Sequence, residues 1–321
     1  MQSFVSLSAL FDEQFNKRHF PDTPKNLYDA SQYILNIGGK RVRPVGVLMG
    51  NELFNEIDPD AYHVANAVEL FHNFSLIHDD IMDKAPLRRG VPTVHINYGE
   101  STALLAGDVM LVAAYEYLNK INTLHLHHIL SLFNKTAKQV CEGQQLDMDF
   151  EKRDKVGLDE YLNMITLKTS VLLAASLQMG AIMGGASIGN REHLFEFGKN
   201  IGIAFQVQDD YLDCFGDPKK FGKQIGGDIL SNKKTFLMIH ALEAANDIQQ
   251  KELSLLLNSN PPDKVERVQQ LFHDCKADEW AASLKEKYYH LAMKHLEDIA
   301  VLSSRKKELE KLAMYLLQRD S

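Results

Sequence analysis

Apolar residues recur at three- and four-residue steps along much of this chain. One stretch runs from Val64 through Phe71 to Phe74, a second begins near Tyr161, and a third begins at Ile201. Such spacing places the apolar side chains on one face of an α-helix. Strands would show short alternating runs of β-branched and aromatic residues, and the sequence contains no convincing set of these runs. The pattern therefore predicts an all-α protein.

Glycines and prolines predict where the helices end. All nine prolines lie outside residues 93–217, and a proline inside a helix removes a backbone donor and clashes with the preceding turn. Breaks are expected near Gly38-Gly39, at 86–92, at Gly184-Gly185 and at 216–227. The sequence contains no repeat of solenoid length and no low-complexity linker. We therefore expect a single domain over residues 1–321, folded as a helical bundle.

Composition and charge narrow the functional class. Hydrophobic residues make up 45% of the chain and charged residues 24%, as in a globular protein with a substantial core. The net charge of −8 argues against a nucleic-acid partner, which requires a basic surface. Three widely separated cysteines form neither a disulfide framework nor a zinc-binding pair. Asp12 and Glu13 precede any long apolar run, so we expect no secretory signal and a cytoplasmic location.

One uncharged segment is long enough to cross a membrane. Residues Thr169–Asn190 carry no charge over 22 positions, and a spanning helix requires about 20 apolar residues. The segment also contains serines, a glutamine and several glycines, so its apolar density is modest. We interpret it as a helix buried in the core of a bundle, and we expect the protein not to be an integral membrane protein.

Two acidic clusters with the same spacing are the strongest chemical signal. Asp79-Asp80-Ile81-Met82-Asp83 ends one predicted helix, and Asp209-Asp210-Tyr211-Leu212-Asp213 ends another. In each cluster the first and last aspartates are four residues apart, so their like charges repel on one helix face, at the end disfavoured for anions. A divalent cation such as Mg²⁺ would remove both costs. A single copy is typical of a solvated helix end, but two matching copies favour a metal site, and neither resembles an EF-hand loop.

Basic, glycine-rich segments accompany the acidic clusters. Gly38-Gly39-Lys40-Arg41-Val42-Arg43-Pro44 comes early in the chain, Leu87-Arg88-Arg89-Gly90 follows the first cluster, and a glycine- and lysine-rich segment at 215–228 follows the second. Glycine allows the backbone to approach a ligand closely, and lysine and arginine bind phosphate. Each segment alone is typical of an exposed loop. Next to the metal clusters, they indicate an anionic ligand such as a diphosphate.

Four ordered motifs resemble one known family. HDDIMDKAPLRRG and FQVQDDYLDCFGDPKKFGKQIGGD resemble the two aspartate-rich motifs of the trans-isoprenyl diphosphate synthases, also called polyprenyl synthetases. GGKRVRP and CEGQQLD, ending at Asp147, resemble two further elements of that family. The resemblance covers the chain from about Lys40 to Lys234. It implies an all-α bundle around a deep central cavity, a homodimer, and elongation of allylic diphosphates by isopentenyl diphosphate.

The resemblance also implies roles for particular residues. The principal magnesium ligands would be Asp79, Asp83 and Asp209, and the residues that support the ions or bind them through water would be Asp80, Asp210 and Asp213. The allylic diphosphate would be held by Arg88, Lys168, Gln206, Lys223 and Lys233. Isopentenyl diphosphate would be held by Lys40, Arg43, His72 and Arg89. Thr169 would lie near the reacting carbons, and the residues assigned to catalysis are Lys168, Thr169, Gln206 and Arg88. Three Mg²⁺ ions per site are implied, with Mn²⁺ as a substitute.

Product length should depend on residues below the first cluster. Phe74 lies five residues before Asp79, which is about 7.5 Å along a helix, and Phe71 lies about one turn deeper. In related enzymes an aromatic residue at the position of Phe74 limits the product to short chains. Animal farnesyl enzymes carry a second aromatic residue where this chain has Ser75, and glutamine where it has His72. The smaller serine favours a C20 product, with C15 as the next candidate.

Two other functions remain open from the sequence. A class I terpene cyclase would share the first aspartate cluster and the helical bundle, but its second metal motif usually differs, and it needs no second diphosphate site. A non-catalytic partner subunit of a prenyl synthase would share the fold, but such subunits typically lose aspartates, and both clusters are complete here.

Overall fold

The structure is a computed structural model and describes residues 1–216 and 225–318. Its first helices are α1 (Phe4–Phe15), α2 (Lys25–Asn36), α3 (Val42–Glu52), α4 (Ala61–Met82), α5 (Val94–Tyr98), α6 (Glu100–Leu118), α7 (Thr123–Glu151) and α8 (Leu158–Ile165). The later helices are α9 (Val171–Met183), α10 (Ile188–Phe215), α11 (Gly227–Leu230), α12 (Phe236–Ala244), α13 (Asp247–Leu257), α14 (Lys264–Asp274), α15 (Ala277–Asp298) and α16 (Ser303–Leu317). A π-helical turn at Thr166–Ser170 joins α8 to α9.

A two-stranded ribbon interrupts the helices after α4. Strands β1 (Leu87–Arg88) and β2 (Val91–Pro92) pair antiparallel, with Leu87 opposite Pro92 and Arg88 opposite Val91. Each strand has only two residues, too few for an alternating pattern to be visible in the sequence. The prediction of an all-α protein is confirmed for the described residues, with this ribbon as the exception.

The described residues form two compact units. Unit 1 comprises Met1–Ala137, Leu172–Gly198 and His295–Leu312. Unit 2 comprises Lys138–Val171, Lys199–Lys294 apart from residues 217–224, and the described residues from Ala313 onward. Because each unit draws on several separate segments, the boundary does not follow a linker in the sequence. The expectation of a single domain over 1–321 stays a prediction.

Unit 1 is held together by close helix packing. Helix α4 packs against α3 and α6, and its apolar stripe, which includes Val64, Val68 and Phe71, is fully buried as its spacing predicts. Helices α3 and α9 approach through glycines: a Cβ on Gly180 would lie 2.0 Å from the carbonyl oxygen of Val47. Such contacts leave no room for a side chain, so these glycines permit the two backbones to touch.

Unit 2 packs around a separate apolar cluster. Tyr161 of α8 and Phe236 of α12 lie at its centre, with ring centroids 6.1 Å apart, and Trp280 of α15 packs on Phe236. Helix α7 comes close to the π-helical turn, because a Cβ on Gly143 would lie 2.2 Å from the backbone nitrogen of Lys168. The glycine thereby allows α7 and the turn that carries Lys168 and Thr169 to lie in contact.

The long uncharged segment is interrupted rather than continuous. Helix α9 ends at Met183, the predicted break follows at Gly184-Gly185, and α10 begins at Ile188. Among the described residues, one helical stretch, Leu158–Met183, has the length and apolar content of a membrane-crossing helix, with a mean hydropathy of 1.4. Of its most apolar window, 72% is buried inside the protein. That burial fits the interpretation as a core helix.

Candidate active site

The first aspartate cluster lies at the carboxyl end of α4, in unit 1. Asp79 is in the last turn, and Asp83 is the C-cap, whose N–H donates to the carbonyl of Asp79 at 2.8 Å. Asp80 is different: it is only 3% exposed, and both of its oxygens accept hydrogen bonds from Arg88, each at 2.8 Å. The helical period therefore directs Asp80 inward, onto Arg88, and places Asp79 and Asp83 one turn apart on another face of the helix.

The ribbon after α4 positions the two arginines. Its turn residues, Arg89 and Gly90, have φ values of 53° and 80°, which is the left-handed geometry of a tight hairpin turn. Arg88 on β1 thereby reaches back to Asp80. The guanidinium of Arg89 instead lies against Gly39, where a Cβ would be 3.0 Å from its Nη1. The fold thus brings Arg89 next to the GGKRVRP motif. This proximity is required if Arg89 is to share the isopentenyl diphosphate site with Lys40 and Arg43 of that motif.

A cationic pocket surrounds His72. Nη1 of Arg43 lies 3.2 Å from Nε2 of His72. The Nε of Arg43 is buried and has no hydrogen-bond partner in the described part of the chain. Burial lowers the pKa of Arg43 to about 10; the charge of Glu69 opposes this shift, and Arg89 adds to it to a smaller extent. Burial followed by Arg43, Arg89 and other arginines lowers the pKa of His72 well below its usual value.

These shifts reflect several cationic groups held close together in a pocket that is largely shielded from water. The pKa of Arg89 is also lowered, first by burial and then by Arg88. Glu69 could serve as a counter-ion, but it already accepts from Arg41 and from Asn73. A bound anion would reverse the repulsion and give the buried Nε of Arg43 an acceptor. Lys40, which was also assigned to isopentenyl diphosphate, follows Gly38-Gly39 in the sequence, and its side chain is exposed.

The residues assigned to product length lie beneath the first cluster. Phe74 is 9% exposed, and its ring centroid is 4.7 Å from that of His78 and 5.5 Å from that of Phe71. Phe71 is buried and packs edge-on against Phe133 at 5.3 Å. Ser75 is half-buried, and its hydroxyl donates to the carbonyl of His72 at 2.8 Å. An aromatic stack therefore continues from Phe74 into the core of unit 1.

Unit 2 contains an acidic cavity of about 170 Å³. Carboxylates and amines dominate its lining, with several polar and apolar groups between them. The charged lining residues are Asp147, Glu151, Asp209, Asp210, Asp213, Asp228, Lys168, Lys233 and Lys234. Thr169, Gln206 and Tyr161 also face it. All described residues of unit 2 that were assigned a role therefore line one cavity. Lys223, which was assigned to the allylic diphosphate, lies outside the described residues.

The second aspartate cluster repeats the arrangement of the first. Asp209 and Asp213 lie in the last two turns of α10. Asp210 is 7% exposed, and it accepts a very short hydrogen bond from the hydroxyl of Tyr161 and another from Nε2 of Gln206 at 2.7 Å. Burial and the charge of Asp228 raise the pKa of Asp210. In both clusters the second aspartate is buried and accepts hydrogen bonds from neighbouring side chains.

A chain of polar contacts links the other assigned residues. The hydroxyl of Thr169 donates to Oε1 of Gln206 at 3.1 Å, and Gln206 in turn donates to Asp210. Nζ of Lys168 lies 2.6 Å from Oδ2 of Asp147. The π-helical turn presents Lys168 and Thr169 to the cavity side by side. Gln206 is thus fixed at both ends of its amide, so it is oriented before any ligand binds.

The sequence-based assignment omitted several residues of this cavity, among them Asp147, Asp228 and Tyr161. Asp147 belongs to the CEGQQLD motif but received no role, and the structure pairs it with Lys168. Asp228 lies in the segment after the second cluster, where its N–H donates to Oδ2 of Asp213 at 3.0 Å and its carboxylate is 3.7 Å from Lys233. Tyr161 stood out only as a helix-face residue. Motif position could have indicated Asp147 and Asp228, but no local signal indicates that Tyr161 meets Asp210, 49 residues away.

The donor set of the cavity fits a hard divalent cation. Asp209, Asp213 and Asp228 supply carboxylate oxygens, the ligands preferred by such ions. Burial raises the pKa of Asp210, and the negative charges of Asp228 and Asp209 close to it act in the same direction. A cation bound there would offset these negative charges.

Comparison with known proteins agrees with this geometry. The sequence model of the polyprenyl synthetase family matches residues 24–275. A short chain isoprenyl diphosphate synthase from Methanothermobacter thermautotrophicus is 37% identical over 314 residues, covering 98% of this chain and 96% of that protein. A geranylgeranyl pyrophosphate synthase from Geoglobus acetivorans is 38% identical, covering 98% and 97%. A crystal structure of a geranylgeranyl pyrophosphate synthase superposes with a TM-score of 0.95 at 41% identity, covering all of both chains.

The fold and the aspartate clusters thus define an enzyme, a trans-prenyltransferase with an all-α fold. The chain belongs to the polyprenyl synthetase family. The expected family and the expected all-α prenyltransferase are confirmed. Members of this family are generally metal-dependent, in agreement with the donor set of the cavity.

Proposed function

We propose that this protein is a short-chain trans-prenyl diphosphate synthase that makes mainly C20 geranylgeranyl diphosphate. It would join isopentenyl diphosphate head-to-tail to allylic diphosphates. The observation that carries the proposal is the shared arrangement of the two aspartate clusters. Asp80 and Asp210 are buried against hydrogen-bonding partners, and in each cluster the first and last carboxylates lie one helical turn apart, a spacing that suits a shared cation. The names of the relatives support the same activity and a product of this length.

Mg²⁺ is the proposed cofactor, at three ions per site, with Mn²⁺ as a substitute. Asp79, Asp83 and Asp209 would be its principal ligands, with Asp213 as a further one. Bound magnesium would neutralise the charge that develops on the departing diphosphate. Asp80 and Asp210 would orient neighbouring groups instead of binding the ions directly, because both are buried and already hydrogen-bonded.

The two diphosphates are assigned to different groups of cations. Isopentenyl diphosphate is assigned to the pocket of Lys40, Arg43, His72 and Arg89, where burial lowers the pKa values of the arginines and the buried Nε of Arg43 has no hydrogen-bond partner among the described residues. The allylic diphosphate is assigned to Arg88, Lys168, Gln206, Lys223 and Lys233. Asp147 holds Lys168 in place through their 2.6 Å contact, so this lysine is positioned before the substrate arrives.

The chemistry then needs no protein nucleophile. The allylic C–O bond breaks, and its electron pair leaves with the diphosphate, so that an allylic carbocation remains. The double bond of isopentenyl diphosphate supplies the electrons for the new C–C bond. The resulting cation loses a proton to the released diphosphate and forms the new double bond. Thr169 and Gln206, tied together at 3.1 Å, would line the reacting region, and the protein's tasks are to position the substrates and exclude water.

We also propose that the protein acts as a cytoplasmic homodimer. Helix α6 exposes large apolar side chains, including Leu104, Leu105 and Val112, which a partner subunit would cover. Sedimentation velocity of the purified protein tests this proposal directly. A monomer at micromolar concentration would contradict it.

The decisive experiment uses radiolabelled isopentenyl diphosphate. The protein is incubated with Mg²⁺ and dimethylallyl, geranyl or farnesyl diphosphate, and the products are separated by chain length after dephosphorylation. We expect mainly C20 product from every primer, no turnover after chelation, and none in an Asp79→Ala/Asp83→Ala variant. Conversion of an allylic diphosphate alone to a hydrocarbon would indicate a terpene cyclase. Absence of turnover with both substrates and Mg²⁺ would indicate a non-catalytic subunit.

A further inference from the structure

A cluster of potential metal ligands lies in unit 1, outside the residues assigned to prenyl transfer. It consists of His193 on α10 and of His295 and Asp298 on α15. One ligand atom from each residue lies within 4.8 Å of the others. The two histidines are half-buried, and the aspartate is exposed. Prenyl transfer as proposed above uses none of the three.

The geometry of the two imidazoles matches that of paired metal ligands. Their Nδ1 atoms are 3.2 Å apart. Two histidine nitrogens that each lie about 2.0–2.1 Å from a tetrahedral Zn²⁺ are about 3.3 Å from one another. The rings are tilted by 46°, with centroids 5.5 Å apart, so they are not stacked face to face. The same nitrogen of each ring, Nδ1, faces the other ring.

The third ligand comes from the same helix as the second. His295 and Asp298 are three residues apart, so they lie on one face of α15. The exposed carboxylate of Asp298 is free to change rotamer at little cost, and it can approach an ion held by the two histidines. Two imidazoles and one carboxylate, with water as a fourth ligand, form a common donor set for zinc.

The backbone around the cluster is held in place. Oδ1 of Asn190, near the start of α10, accepts a hydrogen bond from the N–H of Ala300, just beyond α15, at 2.9 Å. His295 lies in the last turn of α15, where the helix dipole favours a positive charge. Nζ of Lys306 already donates to the carbonyl of Glu297 at 2.7 Å, so a cation is found at this helix end. The two helix ends therefore present the ligands with little reorganisation.

A hydrogen bond between two neutral imidazoles would also explain the short Nδ1–Nδ1 distance. In that arrangement one ring donates and the other accepts, and no ligand is required. It gives no role to Asp298, which has a carboxylate oxygen within 4.8 Å of a nitrogen of each ring. The two explanations differ in one measurable property, because only a metal site makes the stability of the protein depend on zinc.

We propose that His193, His295 and Asp298 bind a zinc-class divalent cation that fastens α10 to α15. Imidazole ligands favour zinc and its neighbours in the transition series, whereas the carboxylates of the aspartate clusters favour magnesium. The cation would stabilise unit 1. It has no part in prenyl transfer, so the proposal stands or falls independently of the proposed enzymatic function.

The test measures zinc binding in the presence of excess Mg²⁺, which occupies the aspartate clusters. Zinc affinity is determined by competition with a chromophoric chelator for the wild type, His193→Ala, His295→Ala and Asp298→Asn. The matched control is His127→Ala/His128→Ala, which removes two adjacent histidines of α7 whose ring centroids are 5.9 Å apart. Thermal unfolding of each protein is followed with and without zinc.

We expect the wild type and the control to bind one zinc ion tightly. Loss of either histidine should weaken binding at least about tenfold, and Asp298→Asn should have a smaller effect because water can replace an exposed carboxylate. Zinc should raise the Tm of the wild type and the control by about 3 °C or more, but not that of the histidine variants. Where an alanine variant fails to fold, the corresponding glutamine variant replaces it. Equal zinc affinity in the histidine variants and the control, or no zinc-dependent Tm, would show that the pair is only a hydrogen bond.

Discussion

Replacing Phe74 by alanine should lengthen the product. The Phe74 side chain is 9% exposed and stands between the aspartate cluster and the ring of Phe71, whose centroid is 5.5 Å away. Its removal opens space for a growing chain beneath the cluster. Phe71 lies three residues deeper, or about 4.5 Å along the helix, and is braced by Phe133 at 5.3 Å. Elongation should therefore advance by about one isoprene unit and then stop at Phe71.

The expected size of the effect follows from the volume removed. A misfit of a single methylene in an apolar pocket changes discrimination about 10- to 200-fold. Because an isoprene unit is larger than a methylene, the ratio of C25 to C20 product should rise at least about tenfold. The same substitution also removes a buried aromatic side chain. We expect it to lower the free energy of unfolding by about 3 kcal/mol, at the lower end for a buried phenylalanine, since Phe74 is not fully enclosed.

The assay is chain-length analysis of radiolabelled products at 25 °C, where the destabilised variant remains folded. Phe20→Ala is a suitable control, because Phe20 is also buried in unit 1 but stacks on Tyr28 at 6.1 Å. It should lose stability without changing the products. Ser75→Phe should act in the opposite direction and shift the main product towards C15. A folded Phe74→Ala variant that still makes only C20 would show that Phe74 does not limit the chain.

Three further substitutions test other parts of the site. His72→Gln should change the KM for isopentenyl diphosphate by less than about tenfold, since both side chains form a neutral hydrogen bond. Because the pKa of His72 is lowered well below its usual value, the histidine is neutral between about pH 6 and 8. The pH profiles of kcat/KM for the wild type and His72→Gln should therefore coincide in this range. A pH inflection that is present in the wild type and absent from the variant would refute this. Arg41→Ala should lower the free energy of unfolding in urea by about 3–5 kcal/mol, because Glu69 is left buried without its ion-pair partner; a change below about 1 kcal/mol would contradict it. Tyr161→Phe should cost about 1–3 kcal/mol by removing a donor from buried Asp210, and an unchanged urea midpoint would show that the contact contributes nothing.

The aspartate clusters show how far local sequence pattern extends. Spacing alone correctly placed each cluster at the end of a helix, because the four-residue period is a property of the helix itself. It did not distinguish the second aspartate from the others as a group held inside the protein. Asp80 is directed inward by Arg88, and Asp210 by Tyr161, 49 residues away. Such partners depend on chain segments that meet only after folding.

Other features required the folded chain for the same reason. The π-helical turn at Thr166–Ser170 has no recognisable sequence signal, because its side chains resemble those of an ordinary helix. The lowered pKa of His72 depends on burial and on several arginines, and both effects arise only when separate segments of the chain come together. His193 and His295 lie 102 residues apart and have no shared motif.

The sequence by itself determined the helical class, the two aspartate clusters, the basic motifs and, through their order, the family. These are local properties: hydrophobic period, charge spacing and glycine placement act over one or two helical turns. The tertiary structure alone decided which aspartates are directed inward, which cations are buried together around His72, and which histidines meet across two helices. Burial and electrostatic pairing depend on distances between remote segments, and those distances are set by packing, not by position along the chain.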